Sequence, residues 1–190
     1  MRRSRGFSLI EILVVVSIIS LLAGITMPSF REARRLARKT VCKKNLQTIG
    51  LGIHAYLLTN RDTFFWACRL PSIEEDEAAA QGRDPWVPLP KALVQEMKGK
   101  SEVYLCPADR NLKLAGTMPK ERYYDNEGTS YEWETLLNGI HISHKNLWLL
   151  GGALTFPPSD MWMLRDFETF HGPGQHNILY VDFHVSSSKN

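Results

Sequence analysis

The sequence predicts an α+β protein. One long N-terminal helix, first transmembrane and then amphipathic, packs on a small antiparallel β-sheet head. Three observations carry this reading. Nineteen consecutive positions, Ile12 to Phe30, hold no charged side chain. Apolar residues then recur at spacings of three and four as far as Leu57, the period of a helix with one buried stripe. Near the C-terminus, His176 to Val185 alternates apolar and polar side chains, the period of a half-buried strand. The chain has 190 residues, 44% hydrophobic and 10% aromatic, with 13 Gly and 10 Pro. That supplies one compact domain and excludes a wholly disordered chain. The formal charge of +3 is too small to imply nucleic acid as a partner, and none is expected.

The first element is the apolar helix. Arg2, Arg3 and Arg5 form a basic head before Phe7, which predicts that the N-terminus stays cytoplasmic and the rest is exported. From Phe7 to Met27 a helix is about 31 Å long at ~1.5 Å per residue, enough to cross hydrocarbon. A cleavable secretory signal is the simplest alternative, but Ala23-Gly24-Ile25 makes a poor cleavage site. The Arg2-Arg3 pair has no further support as a twin-arginine signal. Glu11 is the anomaly. A carboxylate one turn inside an apolar helix is costly and calls for a partner or a role. Cleavage after Gly6 would place a new α-amino group on Phe7, one helical turn before Glu11. In a polymer, Glu11 could instead neutralise the amine of a neighbouring subunit. Losing residues 1–6 removes three arginines and takes the formal charge from +3 to 0.

The second element is the stalk. Pro28 kinks rather than ends the helix. Phe30, Ala33, Ala37, Val41, Leu46, Ile49, Ile53 and Leu57 form its apolar stripe. Arg31, Arg34, Arg35, Arg38, Lys39, Lys43 and Lys44 form a basic face that meets solvent, a neighbouring subunit or anionic headgroups. The boundaries read 1–6 for a leader, 7–27 for the membrane helix, 28–59 for the stalk and 60–190 for the head.

In the head, residues 60–90 read as loop with short elements around the acidic patch Glu74 to Glu77. Pro90 to Lys98 reads as a short helix and Glu102 to Cys106 as a short strand ended by Pro107. Tyr131 to Leu137 fits a strand or a short helix equally. Leu147 to Phe156 is apolar around Gly151-Gly152, and His176 to Val185 closes as a strand.

Gly6-Phe7-Ser8-Leu9-Ile10-Glu11, followed by Ile12 to Ile19, resembles the leader and anchor of type IV pilins and type II secretion pseudopilins. The resemblance implies a pilin-like fold and cleavage after Gly6 by a prepilin peptidase, which then methylates the new N-terminal Phe7. It implies docking of subunits guided by Glu11, and Pro28 matches the kinking proline of the family. Beyond the anchor, the chain resembles a subset common in planctomycete-like bacteria. The segments that carry this are Cys42-Lys-Lys-Asn45-Leu46-Gln47, Leu105-Cys106-Pro107 and His171 to Val185. Those proteins close on a histidine, about nine residues, then Asp-Gly. Here ten residues separate His171 from Asp182, and Phe183 replaces the glycine. Phe183 does not enter a left-handed turn as cheaply as glycine, so the tight turn is expected to be relaxed or absent.

The resemblance favours a disulfide between Cys42 and Cys106, in a head exported to a compartment where disulfides persist. Cys68 is then free or competes for Cys106, because sequence cannot fix connectivity. His171, His176, Asp182 and His184 are the densest set of possible ligands for a divalent cation, set against a purely structural use of the same residues. No cofactor is otherwise expected, and no catalytic residue stands out. The leading functional reading is a structural subunit anchored in the bacterial inner membrane, its head facing the periplasm. It assembles through its N-terminal helix into a type IV pilus-like or type II secretion pseudopilus fibre. Its partners are then prepilin peptidase, other pilin or pseudopilin subunits, inner-membrane lipid and an assembly platform. Two alternatives stay open: a minor subunit whose head binds glycan, metal ion or cargo, and a membrane-tethered enzyme.

Overall fold

The computed structural model describes residues 8–109, 122–142, 147–149, 154–167, 169–172 and 174–189. Helix α1 spans Leu9–Thr59, with Pro28 inside it. Two hydroxyls within its apolar part turn back on the helix. Ser17 Oγ donates to the Leu13 carbonyl at 2.8 Å, and Thr26 Oγ1 to the Leu22 carbonyl at 3.1 Å. Both polar groups are therefore satisfied without an outside partner, as hydrocarbon requires. By contact density the chain divides into two units, Met1–Ala37 and Arg38–Asn190.

In the first unit the described apolar side chains face outward. Leu9 is 82% exposed and Phe30 59% exposed. In the second unit, the inward residues of α1 are Cys42, Leu46, Ile49, Gly50, Gly52, Ile53 and Leu57. The predicted stripe is therefore correct from Leu46 onward and wrong before it. Phe30, Ala33, Ala37 and Val41 are exposed, and Cys42 rather than Val41 begins the buried face. Full burial of Leu46, Ile49 and Ile53 contributes about 1.5–3 kcal/mol for each side chain.

Within the second unit, the helix packs on a four-stranded antiparallel sheet of order β1-β4-β5-β6. Its strands are β1 (Tyr131–Trp133), β4 (Trp162–Asp166), β5 (Gln175–Tyr180) and β6 (Val185–Lys189). Asp166 stands opposite Tyr131, and Arg165 pairs with Ile178. A separate hairpin joins β2 (Leu147–Leu149) to β3 (Leu154–Phe156). Glycine matters where helix meets sheet. A Cβ on Gly50 would lie 3.2 Å from Leu179 Cδ2, so the bare backbone permits the close approach.

Four local expectations change. Residues 71–81 form helix α2 (Pro71–Gln81), about three turns within a stretch read as loop with short elements. Pro71 opens it, Glu74 lies in its first turn, and Gly82 at φ 62° closes it by donating to Ala78 and Ala79. These are ordinary start and stop signals that the mixed composition obscured. Pro90 to Lys98 is two short helices, α3 (Leu89–Ala92) and α4 (Val94–Met97), separated at Leu93. Residues 101–104 form a 3₁₀ turn instead of a strand. The Tyr104 carbonyl accepts from the Ser130 amide at 2.8 Å, an isolated bond outside any ladder. After α5 (Tyr123–Glu127), the ambiguous segment is both alternatives in turn: β1, then a 3₁₀ turn at Thr135–Leu137.

The fourth change concerns the C-terminus. The single strand expected over 176–185 is a hairpin, β5 to β6, reversing at 181–184. The tight turn is present although glycine is not. Phe183 adopts φ 68° and its amide donates to the Tyr180 carbonyl at 2.9 Å. Its ring meets His54 of α1 edge-on, with centroids 5.1 Å apart. Packing against the helix offsets the strain that a side chain brings to this backbone region.

Candidate functional site

Two features of the predicted function lie at opposite ends of the chain. At the N-terminus, Gly6 and Phe7 fall outside the described residues. Glu11 is exposed, and its Oε2 accepts from the Ser8 amide at 2.8 Å, which occupies one of the unpaired donors of the first helical turn. Around it, Ile10, Ile12, Leu13, Val14 and Val15 are all about half exposed or more. The helix is long and apolar enough to cross a membrane, and its apolar window is wholly unburied. Such an exposed apolar surface calls for a hydrocarbon or subunit environment around it, and the Glu11 carboxylate within it is costly there unless it is paired.

In the head, the structure divides the predicted ligand set. His171 is buried, whereas Asp182 and His184 are exposed. Asp182 Oδ1 lies 2.5 Å from His184 Nδ1, and the His184 ring stacks on Tyr180 at 4.2 Å. His176 Nδ1 lies 2.9 Å from the Asp166 carbonyl. His176 and His184 do not share one continuous strand, because the chain reverses at 181–184.

His171 joins a different group. Among the described residues, Cys42, Cys106, Asp166 and His171 bring their ligand atoms within 4.8 Å of one another, and all four are buried. Cys42 comes from the first inward position of α1. Cys106 follows the 3₁₀ turn, held where its amide donates to Ser130 Oγ at 3.0 Å and where the Asn45 side-chain amide of α1 donates to the Leu105 carbonyl at 2.9 Å. Asp166 ends β4. His171 sits in the following turn, where the Gly172 amide donates to the Thr169 carbonyl.

The expected Cys42–Cys106 pair is thus brought together, but both residues stand as free thiols, as does Cys68. Each sulfur faces its own polar partners. Cys42 Sγ donates to Asp166 Oδ1 at 3.0 Å and lies 3.4 Å from the Tyr131 hydroxyl. Cys106 Sγ lies 3.4 Å from His171 Nε2, which is also 3.6 Å from Asp166 Oδ2. The Asn177 amide donates to Asp166 Oδ2 at 2.8 Å. Burial pushes the Asp166 carboxyl up to about 7, against the opposing hydrogen bonds from Cys42 and Asn177. Burial also holds the Cys42 thiol and the Tyr131 phenol far above their ordinary values. Sequence reasoning missed Asp166. Its signal was weak, a lone acid at a strand end, although the other three residues of the group lie in the quoted segments.

Comparison with known proteins bears on the N-terminus above all. Residues 1–27 match the prokaryotic N-terminal methylation motif. The chain is 28% identical over 145 residues to the type II secretion system core protein G of Pseudomonas aeruginosa, covering 70% of this chain and 97% of that protein. It is 40% identical over 47 residues to the type IV major pilin protein of Myxococcus xanthus and 46% identical over 41 residues to a type IV wide pilus major component of Thermus thermophilus. Those two matches span 25% and 22% of this chain, and 21% and 31% of the respective pilins. No solved structure gives a significant match.

Proposed function

We propose that the chain is a prepilin-like structural subunit, cleaved after Gly6, methylated on Phe7 and assembled through α1 into a pilus-like or pseudopilus fibre. The observation that carries this is the methylation motif over residues 1–27 set on a helix whose apolar window is unburied. Such a surface is stable in a bilayer before assembly and in a bundle of like helices after it. The match to core protein G over 97% of that protein favours a pseudopilus over a surface pilus, since the pilin matches cover only 47 and 41 residues.

In this reading prepilin peptidase, inner-membrane lipid, an assembly platform and other subunits are the partners. The basic head holds the N-terminus in the cytoplasm, the head folds in the periplasm, and no chemistry is assigned to the chain itself. Glu11 then neutralises the α-amino group of Phe7 on a neighbouring subunit inside an apolar bundle, where an unpaired charge is costly. The test is incorporation of Glu11→Ala into sheared fibres, beside Gly6→Ala. Gly6→Ala should accumulate as the uncut chain. Glu11→Ala should be cut yet fail to enter fibres. Normal incorporation of cut Glu11→Ala would overturn the assembly role.

A further inference from the structure

We propose that Cys42, Cys106, Asp166 and His171 form a buried structural zinc site in the head. This inference stands on the second unit alone and does not depend on fibre assembly.

The donor set fits zinc by type and number. Two sulfurs, one imidazole and one carboxylate make four ligands, the number that closes a structural zinc centre. Thiolates with imidazole exclude calcium and magnesium, which take oxygen. The geometry fits as well. Bonds of about 2.0–2.3 Å in a tetrahedron put neighbouring donors roughly 3.3–3.8 Å apart. The Cys106 Sγ to His171 Nε2 separation is 3.4 Å and His171 Nε2 to Asp166 Oδ2 is 3.6 Å. Cys42 Sγ to Asp166 Oδ1, at 3.0 Å, must open by a few tenths of an ångström, and all four ligand atoms lie within 4.8 Å of one another. Four buried side chains from separate segments converge on one point, and their neighbours already support an anionic cluster. The Tyr131 hydroxyl lies 3.4 Å from Cys42 Sγ, and the Asn177 amide donates to Asp166. Such outer contacts orient ligands and tune them.

A thiol–imidazole–carboxylate set also suggests a nucleophile. Burial argues against it: Cys42 is 0%, Cys106 1%, Asp166 0% and His171 1% exposed, so no substrate reaches the sulfur. A closed centre suits the same burial. Zinc entry displaces the thiol protons to solvent as the two zinc–sulfur bonds form, with no change of oxidation state. The ion would tie α1, the segment after the 3₁₀ turn, β4 and the turn before β5 into one unit.

The test uses the full processed chain, purified in detergent without chelator and measured for metal content. One equivalent of zinc is expected, with all three cysteines titrating as thiols after denaturation in chelator. Cobalt(II) added to chelator-stripped protein should give the thiolate charge-transfer absorption and strong visible bands of a tetrahedral site. Zinc should also raise the Tm of stripped wild type. Cys106→Ser should weaken cobalt binding and lose about half of the charge-transfer intensity, one of the two thiolates being removed, and His171→Ala should weaken binding with both thiolates kept. The wild-type spectrum decides the matter if those variants do not fold. A metal-free protein with only one titratable thiol, lighter by two hydrogens, would show a disulfide that takes at least one of Cys42 and Cys106 and overturn the proposal. So would three thiols with no metal and no tetrahedral cobalt spectrum.

Discussion

Replacing Phe183 by alanine and by glycine separates two effects that the wild-type turn combines. Phe183 lies at φ 68°, where a side chain costs about 1–2 kcal/mol relative to glycine. Its ring is partly buried against the core and meets His54 at 5.1 Å. Fully buried Phe→Ala changes cost ~3–5 kcal/mol, and a partly buried ring correspondingly costs about 2. Phe183→Ala loses the ring and keeps the strain, so it is expected to lose about 2 kcal/mol. Phe183→Gly loses the same ring and relieves the strain, so its loss is about 1 kcal/mol. The gap between the two variants is the measurable quantity, about 1 kcal/mol in favour of glycine. Guanidinium unfolding of the full chain in detergent, followed by near-ultraviolet circular dichroism, reads it as a higher midpoint for the glycine variant. A glycine variant no more stable than the alanine variant would show that the turn carries no strain at Phe183.

Three further outcomes are expected. Gly139 has φ 69°, and a Cβ there would lie 2.7 Å from Trp66 Cζ2; Gly139→Ala should therefore lose about 2 kcal/mol in the same unfolding assay and shift Trp66 emission. Asp109 is buried and accepts from the Tyr123 and Tyr124 amides and from Ser130 Oγ, so Asp109→Ala should lose roughly 2–3 kcal/mol as three donors are left without their acceptor. The Cys68 thiol is pushed up from 9.0 to about 12 by burial and then by the field of Glu74. Because its folded value lies above its unfolded one, its contribution is present below pH 9 and lost as pH rises towards 12. Cys68→Ser should flatten that part of the stability–pH profile, and native Cys68 should react slowly with iodoacetamide at pH 8. Rapid native alkylation, or an unchanged profile, would count against the buried, raised thiol.

How much of this was legible follows from the range of each interaction. The anchor was readable because its information is local: an uncharged run and one carboxylate need no tertiary partner to be recognised. Helix α1 and its inward Leu46, Ile49, Ile53 and Leu57 were readable from period alone. The phase before Leu46 was not, because Val41 and Cys42 are adjacent and only the sheet determines which faces inward. Helix α2 was obscured by its polar composition. It is held by contacts made at a distance, including the Ser72 amide on Glu127 Oε2 at 2.9 Å and the Trp86 amide on Glu74 Oε1 at 2.6 Å. In the candidate site, Cys42 and Cys106 were singled out as a pair and His171 in a different set, and Asp166 was not singled out.

The sequence by itself determined the membrane-length helix, its basic flank, the methylation motif and the helix-plus-sheet class, since each rests on composition or period within a single segment. Tertiary structure decided the reversal at Phe183 and the separation of His171 from Asp182 and His184. It also decided the convergence of Cys42, Cys106, Asp166 and His171. Those four residues lie up to 129 positions apart, and no local period encodes a meeting of side chains. That meeting exists only once β4 pairs with β1 and α1 lies across the sheet, where burial of apolar surface brings the polar groups along with it.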